Sequence, residues 1–235
     1  MASVKESVSV AMAAYNGEKY IQAQIQSILS QLGPEDEIVI SVDPSNDRTI
    51  ERIEAFGDQR IRWISGPGKG LIKNFENAIR QTKNDIVFLC DQDDLWDPKK
   101  VEHVCAAMQD ADLVLHDCEV TDASLHVLHP SFFQIHPPTA SFRKNILKNS
   151  FMGCCMAFRK RLKKEILPFP DDLPMHDQWI GLVALKKGKV KILDRPLLSY
   201  RRHQENESSM DHASVLQMLA WRVHLLKALW KRGIL

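Results

Sequence analysis

Four aspartates lie within seven residues in the stretch FLCDQDDLWDPKK, residues 88–100, directly after an apolar run. Carboxylates this close together raise one another's pKa unless a cation neutralises them. Oxygen-only ligands suit Mg²⁺ or Mn²⁺, which keep coordination positions open for phosphate groups. Asp91, Asp93 and Asp94 therefore predict a metal site, with a solvated acidic turn as the alternative. Asp97 is expected to cap the helix that follows.

Two further polar segments could contact a nucleotide. Asp43 ends a predicted strand, where its carboxylate can accept hydrogen bonds from a base edge or a ribose hydroxyl. Asp47 stands beside a helix start and is expected to be a cap. The glycines and lysines of GPGKGLIKNF, residues 66–75, suggest a phosphate-cradling loop before a helix. This segment matches neither GxGxxG nor a P-loop, so a flexible turn with a solvated lysine is the alternative.

Candidate acid–base and metal-ligating groups appear again in the second half of the chain. His176 and Asp177 open a predicted helix, where an acid serves either as a partner of the helix dipole or as a catalytic base. His203 lies in the basic segment YRRHQENES. As a neutral imidazole it could ligate a metal, or it could bind diphosphate together with the two arginines before it. A solvated surface patch is the alternative.

The elements that must position these residues alternate regularly in the first half of the chain. Apolar runs predict strands at 8–13, 37–42, 60–65, 85–90 and 112–117, and helical periodicity predicts helices at 19–31, 48–56, 71–82 and 98–109. This alternation predicts an α/β fold with a doubly wound, mostly parallel sheet. Ligands of such sheets lie at the carboxyl ends of the strands, so the loops YNG, DPSND, GPGKG and DQDD should line one crevice.

The alternation fades after residue 118. Residues 119–140 are rich in loops and are expected to form a hairpin and a flap. A buried strand is predicted at 151–160, a helix at 175–188, one or two strands at 190–203 and a last helix at 212–232. Cys154 and Cys155 are expected to be small core residues and not nucleophiles.

Composition excludes several classes of protein. The 235 residues are 44% apolar and 26% charged, and the formal net charge is +1. A net charge this close to zero gives no indication that the protein binds nucleic acid. The five cysteines are odd in number and form no CxxC pair, which favours reduced thiols in a cytoplasmic protein over a zinc site or disulfides. No signal peptide is expected, and no run approaches the roughly 20 apolar residues of a membrane span.

The motifs in their order and spacing resemble the inverting nucleotide-sugar glycosyltransferases of family 2, which have the GT-A fold, and most nearly the rhamnosyltransferase-like enzymes of bacterial polysaccharide synthesis. The matching segments run from Val8 to about Ser208: VAMAAYNGEKYIQAQIQSILSQ, VDPSNDRT, GPGKGLIKNFENAI, FLCDQDDLWDPKKV, FMGCCMAF, MHDQWIGL and YRRHQENES. The resemblance implies a GT-A domain at 1–208. Its nucleotide-sugar-binding half is 1–117 and its acceptor-binding half is 118–208, and a C-terminal amphipathic helix follows at 209–235.

The resemblance also implies a role for each matching position. Asp177 corresponds to the catalytic base, and Asp93 and His203 to the residues at the metal. The residues expected to bind the nucleotide sugar are Ala13, Tyr15, Asp43, Lys73, Asn74, Asp91 and Asp94. The acceptor would contact Gly153, His176 and Trp179. Two positions depart from the family pattern, because Val42 replaces the first of two acids and Gln178 replaces an aromatic residue.

The implied reaction is a metal-dependent, inverting transfer that uses Mg²⁺ or Mn²⁺. It would move a sugar from a UDP- or dTDP-linked donor to a hydroxyl of a glycan or lipid-linked acceptor in bacterial cell-surface polysaccharide synthesis. An inactive nucleotide-sugar-binding module and a sugar nucleotidyltransferase are the alternatives. A nucleotidyltransferase is expected to have a first loop that is rich in glycine and arginine. The first loop here, AAYNGEKY, has one glycine and no arginine.

The last predicted helix, 212–232, places Leu216, Leu219, Val223, Leu226 and Trp230 at helical spacing, flanked by basic residues. The simplest interpretation is an amphipathic helix packed on the domain. The alternatives are a peripheral contact with the inner face of the plasma membrane, with basic residues and tryptophan at the headgroups, and a homodimer contact.

Overall fold

The computed structural model describes residues 6–203 and 215–235. Its first half is the predicted parallel α/β unit. The strands are β1 (Val8–Ala14), β2 (Glu37–Val42), β3 (Ile61–Ser65) and β4 (Ile86–Asp91), which pair in parallel in the order β3-β2-β1-β4. The helices between them are α1 (Ile21–Leu29), α2 (Thr49–Glu54) and α3 (Leu71–Gln81). All residues of β1 are buried, as expected of a central strand covered on both faces.

The second half extends the same sheet with mixed strand directions. Its strands are β5 (Leu95–Trp96), β6 (Leu113–Thr121), β7 (Val127–His129), β8 (Met156–Arg159) and β9 (Val190–Arg201). Its helices are α4 (Lys100–Met108), α5 (Phe132–Ile135), α6 (Phe142–Leu147), α7 (Lys163–Ile166), α8 (His176–Lys187) and α9 (Val215–Lys231). The sheet order continues from β4 as β8-β6-β9-β5, with β7 on β6. Strand β8 lies antiparallel between β4 and β6, while β6 and β9 are parallel.

Three local predictions need correction. The predicted strand at 151–160 begins only at Met156, because Gly153–Cys155 form a 3₁₀ turn closed by a bond from the Cys155 N–H to the Met152 carbonyl. The helix predicted at 98–109 is α4, and it starts two residues later than predicted, at Lys100. Asp97 accepts a hydrogen bond from the N–H of Lys99 at 2.8 Å, so it shapes the turn before the helix and is not itself the cap residue. The two-residue β5 was not predicted, since so short a strand shows no periodicity.

Helix α9 packs on the domain through Leu225, Ala228 and Leu229, which are buried. The side chain of Leu216 lies outside the described residues. Within 6–203 and 215–235, no helix combines the length and the hydropathy that a bilayer span requires. Cys154 and Cys155 are buried in the core, as predicted.

Candidate active site

The four predicted loops meet at the carboxyl edge of the parallel strands. The side-chain amide of Gln92, after β4, is held by the backbone of Tyr15, after β1: Tyr15 N–H donates to Gln92 Oε1 at 2.9 Å, and Gln92 Nε2 donates to the Tyr15 carbonyl at 2.7 Å. The Asn16 N–H donates to Ser45 Oγ, after β2, at 3.0 Å. The Gly66 N–H, after β3, donates to the Val42 carbonyl at 2.7 Å. These bonds form one crevice from four separate loops.

Asp43 and Asn74 form one corner of this crevice. Asp43 Oδ1 accepts a hydrogen bond from the Gly68 N–H at 2.9 Å, and Asn74 Nδ2 donates to the Ala14 carbonyl at 3.0 Å. A Cβ at Gly66 would lie 2.3 Å from Asp43 Oδ1 and 2.7 Å from Asn74 Oδ1, so only glycine fits there. Asn74 Oδ1 is buried and has no hydrogen-bond partner among the described residues. The corner therefore keeps a polar atom available for a ligand.

The other predicted donor-side residues take different positions. Tyr15 is 51% exposed, so its ring is accessible to a nucleotide. Ala13 is buried in β1 and pairs with Asp91 of β4, which leaves only its backbone to contribute. The ammonium of Lys73 contacts Glu76 at 3.0 Å and Asp171 at 3.1 Å. This lysine is thus engaged with acids of α3 and the segment before α8.

Asp91 and Asp94 form the acidic centre of the crevice. Ligand atoms of Asp91, Asp94 and Cys154 all lie within 4.8 Å of one another. Burial and the charges of neighbouring Asp93 and Asp177 raise the pKa of Asp91 to about 7. Burial and the charges of Asp93 and Asp91 raise the pKa of Asp94 well above its usual range. A group of carboxylates with raised pKa values gains stability when a cation neutralises it.

The donor atoms at this centre fit a hard divalent cation. Asp94 Oδ1 accepts a hydrogen bond from the Arg201 N–H at 3.0 Å, while its buried Oδ2 has no partner in the part of the chain that is described. The hydrogen bond to Cys155 and burial raise the pKa of the Cys154 thiol well above its usual range. The thiol therefore stays protonated and hydrogen-bonds to Asp91. Carboxylate oxygens without a thiolate suit Mg²⁺ or Mn²⁺.

Asp93 and His203 are in direct contact. His203 Nε2 lies 2.8 Å from Asp93 Oδ2, and the His203 ring packs on the Tyr20 ring at a centroid distance of 4.7 Å. Arg201 Nε donates to the Asp93 carbonyl at 2.8 Å. The end of β9 is thereby bound to the loop after β4, and the two residues predicted at the metal lie side by side.

Asp177 lies in the first turn of α8. Its Oδ1 accepts hydrogen bonds from the Gln178 N–H at 2.6 Å and from Asn149 Nδ2 at 3.1 Å. Burial raises the pKa of Asp177 to about 6 despite these bonds. Since the charge of Asp177 in turn raises the pKa of Asp91, both carboxylates lie within electrostatic reach in one crevice.

His176 and Gly153 form the wall beside Asp177. The His176 ring stacks on Phe75 at a centroid distance of 4.3 Å, and burial lowers its pKa to about 4, so the ring is neutral at physiological pH. Its Nε2 is buried without a described hydrogen-bond partner. A Cβ at Gly153 would lie 2.9 Å from His176 Nε2 and 3.8 Å from Asp177 Cβ. The absence of a side chain at Gly153 therefore lets the turn approach α8.

Trp179 does not belong to this wall, contrary to the prediction. Its side chain is 0% exposed, and its indole N–H donates to the Ile166 carbonyl at 2.9 Å. Two positions further along α8 than Asp177, it points into the core because adjacent helix positions face different directions.

Three residues of the site were not singled out from the sequence. Gln92 lies within the acidic motif, but an uncharged side chain there gives no signal of its own. Asn149 stands in a loop with no motif. Lys100 follows Lys99 at a helix start and has the appearance of an ordinary solvated lysine, yet it is fully buried and donates to the Cys154 carbonyl at 2.8 Å.

Comparisons with known proteins find similar glycosyltransferases. The glycosyltransferase WfgD of Escherichia coli, named as a UDP-Glc:alpha-D-GlcNAc-diphosphoundecaprenol beta-1,3-glucosyltransferase, is 24% identical over 86% of this chain and 79% of its own length. The dTDP-rhamnosyl transferase RfbG of Shigella flexneri is 26% identical over 83% of this chain and 73% of its own length. The chain thus spans about three quarters of the length of these relatives.

Solved structures show the same fold. The crystal structure of S. aureus TarS 1–349 in complex with UDP-GlcNAc superposes with a TM-score of 0.72 at 20% identity, covering 94% of this chain and 67% of that one. The GT-A architecture predicted from the motifs is confirmed by this match. The family model described as Glycosyl transferase family 2 matches residues 9–167, which include both the acidic centre and the Asp43 corner. The chain therefore belongs to the family 2 glycosyltransferases and is a glycosyltransferase.

Proposed function

We propose that this enzyme transfers a sugar from a nucleoside-diphosphate sugar to an acceptor hydroxyl, with inversion at the anomeric carbon and with a bound Mg²⁺ or Mn²⁺. The observation that carries the proposal is the placement of Asp177 against Gly153, the neighbour of Cys154, whose thiol lies within 4.8 Å of the Asp91 and Asp94 ligand atoms. A base on one side of a crevice and a metal-binding centre on the other suit a single displacement at a carbon between them.

The donor would lie along the carboxyl edge of the parallel strands. Asp43 would accept a hydrogen bond from the base, and the unpartnered Asn74 Oδ1 beside it offers a second acceptor. Tyr15 would cover the nucleotide, with Ala13 beneath it. The names of the relatives and of the TarS complex specify UDP- and dTDP-linked sugars, which supports a UDP or dTDP donor for this chain.

Asp177 would remove the acceptor proton. With a pKa of about 6, its carboxylate is mostly ionised at neutral pH and strong enough to take a proton from a hydroxyl as that oxygen attacks C1. The hydrogen bond from Asn149 aims the carboxylate, and His176, with a pKa of about 4, is a weaker base than Asp177. Lys73, Gly153 and His176 would line the path of the two substrates.

Asp91, Asp93, Asp94 and His203 would hold the metal ion. When bound, a divalent cation supplies positive charge against the diphosphate leaving group. Asp93 and His203 already contact each other, so they hold the loop after β4 in place for diphosphate to approach.

The acceptor would be a glycan or a lipid-linked sugar in bacterial surface polysaccharide synthesis. The WfgD name specifies a diphosphoundecaprenol-linked acceptor, which supports this class. The described cysteines are all free thiols, consistent with the reducing cytoplasm, where we place the reaction.

Product analysis tests the reaction. The enzyme is incubated with UDP- and dTDP-sugars and a glycan acceptor, with and without Mn²⁺, and nucleotides are separated by chromatography. Metal-dependent release of nucleoside diphosphate is expected, and it should disappear in Asp177→Asn. Release of pyrophosphate would instead indicate a nucleotidyltransferase. A donor that raises the melting temperature without turnover under any condition would indicate an inactive binding module.

The outer face of α9 supports a peripheral membrane contact. The side chains of Leu219, Val223, Leu226 and Trp230 are 49%, 47%, 37% and 73% exposed and recur at helical spacing. The segment 215–235 contains no acidic residue, and Lys227 and Lys231 are exposed beside the apolar side chains. An apolar face with basic flanks and an exposed tryptophan complements an anionic bilayer surface.

Vesicle sedimentation tests this contact. The enzyme should bind vesicles containing phosphatidylglycerol more strongly than pure phosphatidylcholine vesicles, and Val223→Ser with Trp230→Ser should abolish the binding. Leu128→Ser is the matched control, because Leu128 on β7 is 53% exposed and Val223 is 47% exposed. If the double variant retains vesicle binding, the membrane contact through this face is contradicted. If the double variant also changes the oligomeric state, a homodimer contact is favoured.

A further inference from the structure

Lys100 is a fully buried cation beneath the acidic centre. Its side chain is 0% exposed, its Nζ donates to the Cys154 carbonyl at 2.8 Å, and the same Nζ lies 4.1 Å from the centroid of the Trp96 ring. Lysine is almost never fully buried unless its charge is paired, because desolvation of an ammonium group is unfavourable. A single carbonyl and a ring face compensate only part of this desolvation cost, so other charges near Lys100 must contribute.

Burial lowers the pKa of Lys100, and the charge of Asp94 in the proposed metal centre acts in the opposite direction. Cys154 connects the two groups: its carbonyl accepts from Lys100, and its thiol lies within 4.8 Å of the Asp91 and Asp94 ligand atoms. The charge of Lys100 favours the ionised forms of Asp91 and Asp94 and disfavours protonation of buried His116.

We propose that Lys100 is an internal cation of the donor site: its charge offsets that of Asp91 and Asp94, and so limits how tightly the site holds its divalent metal. The inference rests on the proposed metal dependence. A positive charge near a divalent ion opposes binding of that ion, and this Coulomb energy is larger in a partly buried site than in water. A lower affinity of the site for the metal favours release of the metal with the nucleoside diphosphate after each transfer.

Lys100 also holds the Gly153–Cys155 turn through the Cys154 carbonyl, and this structural role must be separated from the role of its charge. Lys100→Gln keeps a side-chain donor and removes the charge. Lys100→Met removes both in a side chain of similar length. Lys99→Met, an exposed neighbour, is the matched control. Lys100 does not touch the substrates, so it is a positioning residue and not a catalytic one.

The test is the dissociation constant of Mn²⁺, measured by electron paramagnetic resonance on the whole enzyme without donor. We expect both Lys100 variants to bind Mn²⁺ more tightly than the wild type, by on the order of tenfold, and Lys99→Met to match the wild type. In steady-state assays, kcat should fall in both variants while KM for the donor does not rise, because product release is slowed.

Each other result has a definite meaning. If Lys100→Gln binds Mn²⁺ like the wild type, or if Mn²⁺ binding weakens in either folded variant, the charge role is overturned and Lys100 only tethers the turn. Circular dichroism establishes that a variant is folded, and should Lys100→Met fail to fold, Lys100→Gln decides the question. If the wild type itself binds no Mn²⁺, the proposed metal dependence has failed, which is distinct from a failure of the inference about Lys100.

Discussion

His203 Nε2 lies 2.8 Å from Asp93 Oδ2, although the two residues are 110 positions apart in the chain. One residue follows β9 and the other follows β4, so the contact ties the second half of the chain to the acidic loop of the first half. A metal held at this point would therefore depend on both halves.

Replacing His203 with alanine tests that dependence. We expect Mn²⁺ affinity to fall by about 10- to 100-fold, the range found when a residue that holds or orients a metal ligand is removed. Isothermal titration with Mn²⁺ measures it. His224→Ala, at an exposed position of α9, is the control. Equal Mn²⁺ affinities of His203→Ala and the wild type would show that His203 has no part in the metal site.

Asp177→Asn should slow transfer strongly and preserve donor binding. Asparagine keeps the size of the side chain but cannot take a proton, so kcat should fall by about 10²- to 10⁴-fold while KM for the donor changes little. Release of nucleoside diphosphate under saturating metal measures the rate. A variant with nearly normal turnover would exclude Asp177 as the base.

The rate should depend on pH through Asp177. Because burial raises its pKa to about 6, kcat/KM under saturating metal should increase with pH through that region and level off above it. His176, with a pKa near 4, would place the increase at lower pH if it were the base. A profile measured between pH 4.5 and 8.5 distinguishes the two residues.

The stability of the metal-free enzyme should decrease as pH rises. The folded-state pKa values of Asp91 and Asp177, about 7 and about 6, lie above the unfolded value of about 3.9. The folded state therefore binds more protons than the unfolded state does. The contribution of these two groups to the free energy of unfolding is present at low pH and is lost as pH rises through 6 to 7.

Thermal melts in EDTA measure this loss. We subtract the melting temperature of the wild type from that of Asp91→Asn at each pH. This difference should be larger at pH 8 than at pH 5.5, by roughly 3 °C or more. Asp58→Asn, at a salt-bridged carboxylate far from the crevice whose pKa is lowered by Arg60, should not show this gain. A pH-independent difference between Asp91→Asn and the wild type would contradict the raised pKa.

Gly66→Ala should weaken donor binding. The added methyl group would meet Asp43 Oδ1 at 2.3 Å and Asn74 Oδ1 at 2.7 Å, so the corner that we assign to the base must rearrange. We expect the dissociation constant for the nucleoside diphosphate to rise at least tenfold, since a buried hydrogen-bonding group left unpaired costs about 1–3 kcal/mol. Ser65→Ala, at the exposed neighbouring position, should bind like the wild type.

Much of the donor side could be predicted from the chain alone. Parallel strands bring their carboxyl ends to one edge, so Asp43 and the acidic loop after β4 had to meet there once the alternation was recognised. The acceptor side was less predictable. The segment 151–158 is apolar throughout, and nothing local separates the 3₁₀ turn at Gly153–Cys155 from the strand that follows.

Sequence alone determined the residue types and their order: a parallel α/β half, an acidic motif at a strand end and an acid in the first turn of a late helix. Tertiary structure decided which of these side chains face one another. It turned Trp179 into the core, joined Asp93 to His203, and buried Lys100 under the acidic centre while Lys99 stayed in solvent. The reason is physical: chain order determines which residues follow a strand, but burial and contact depend on elements that are distant in the chain and pack together only in the fold.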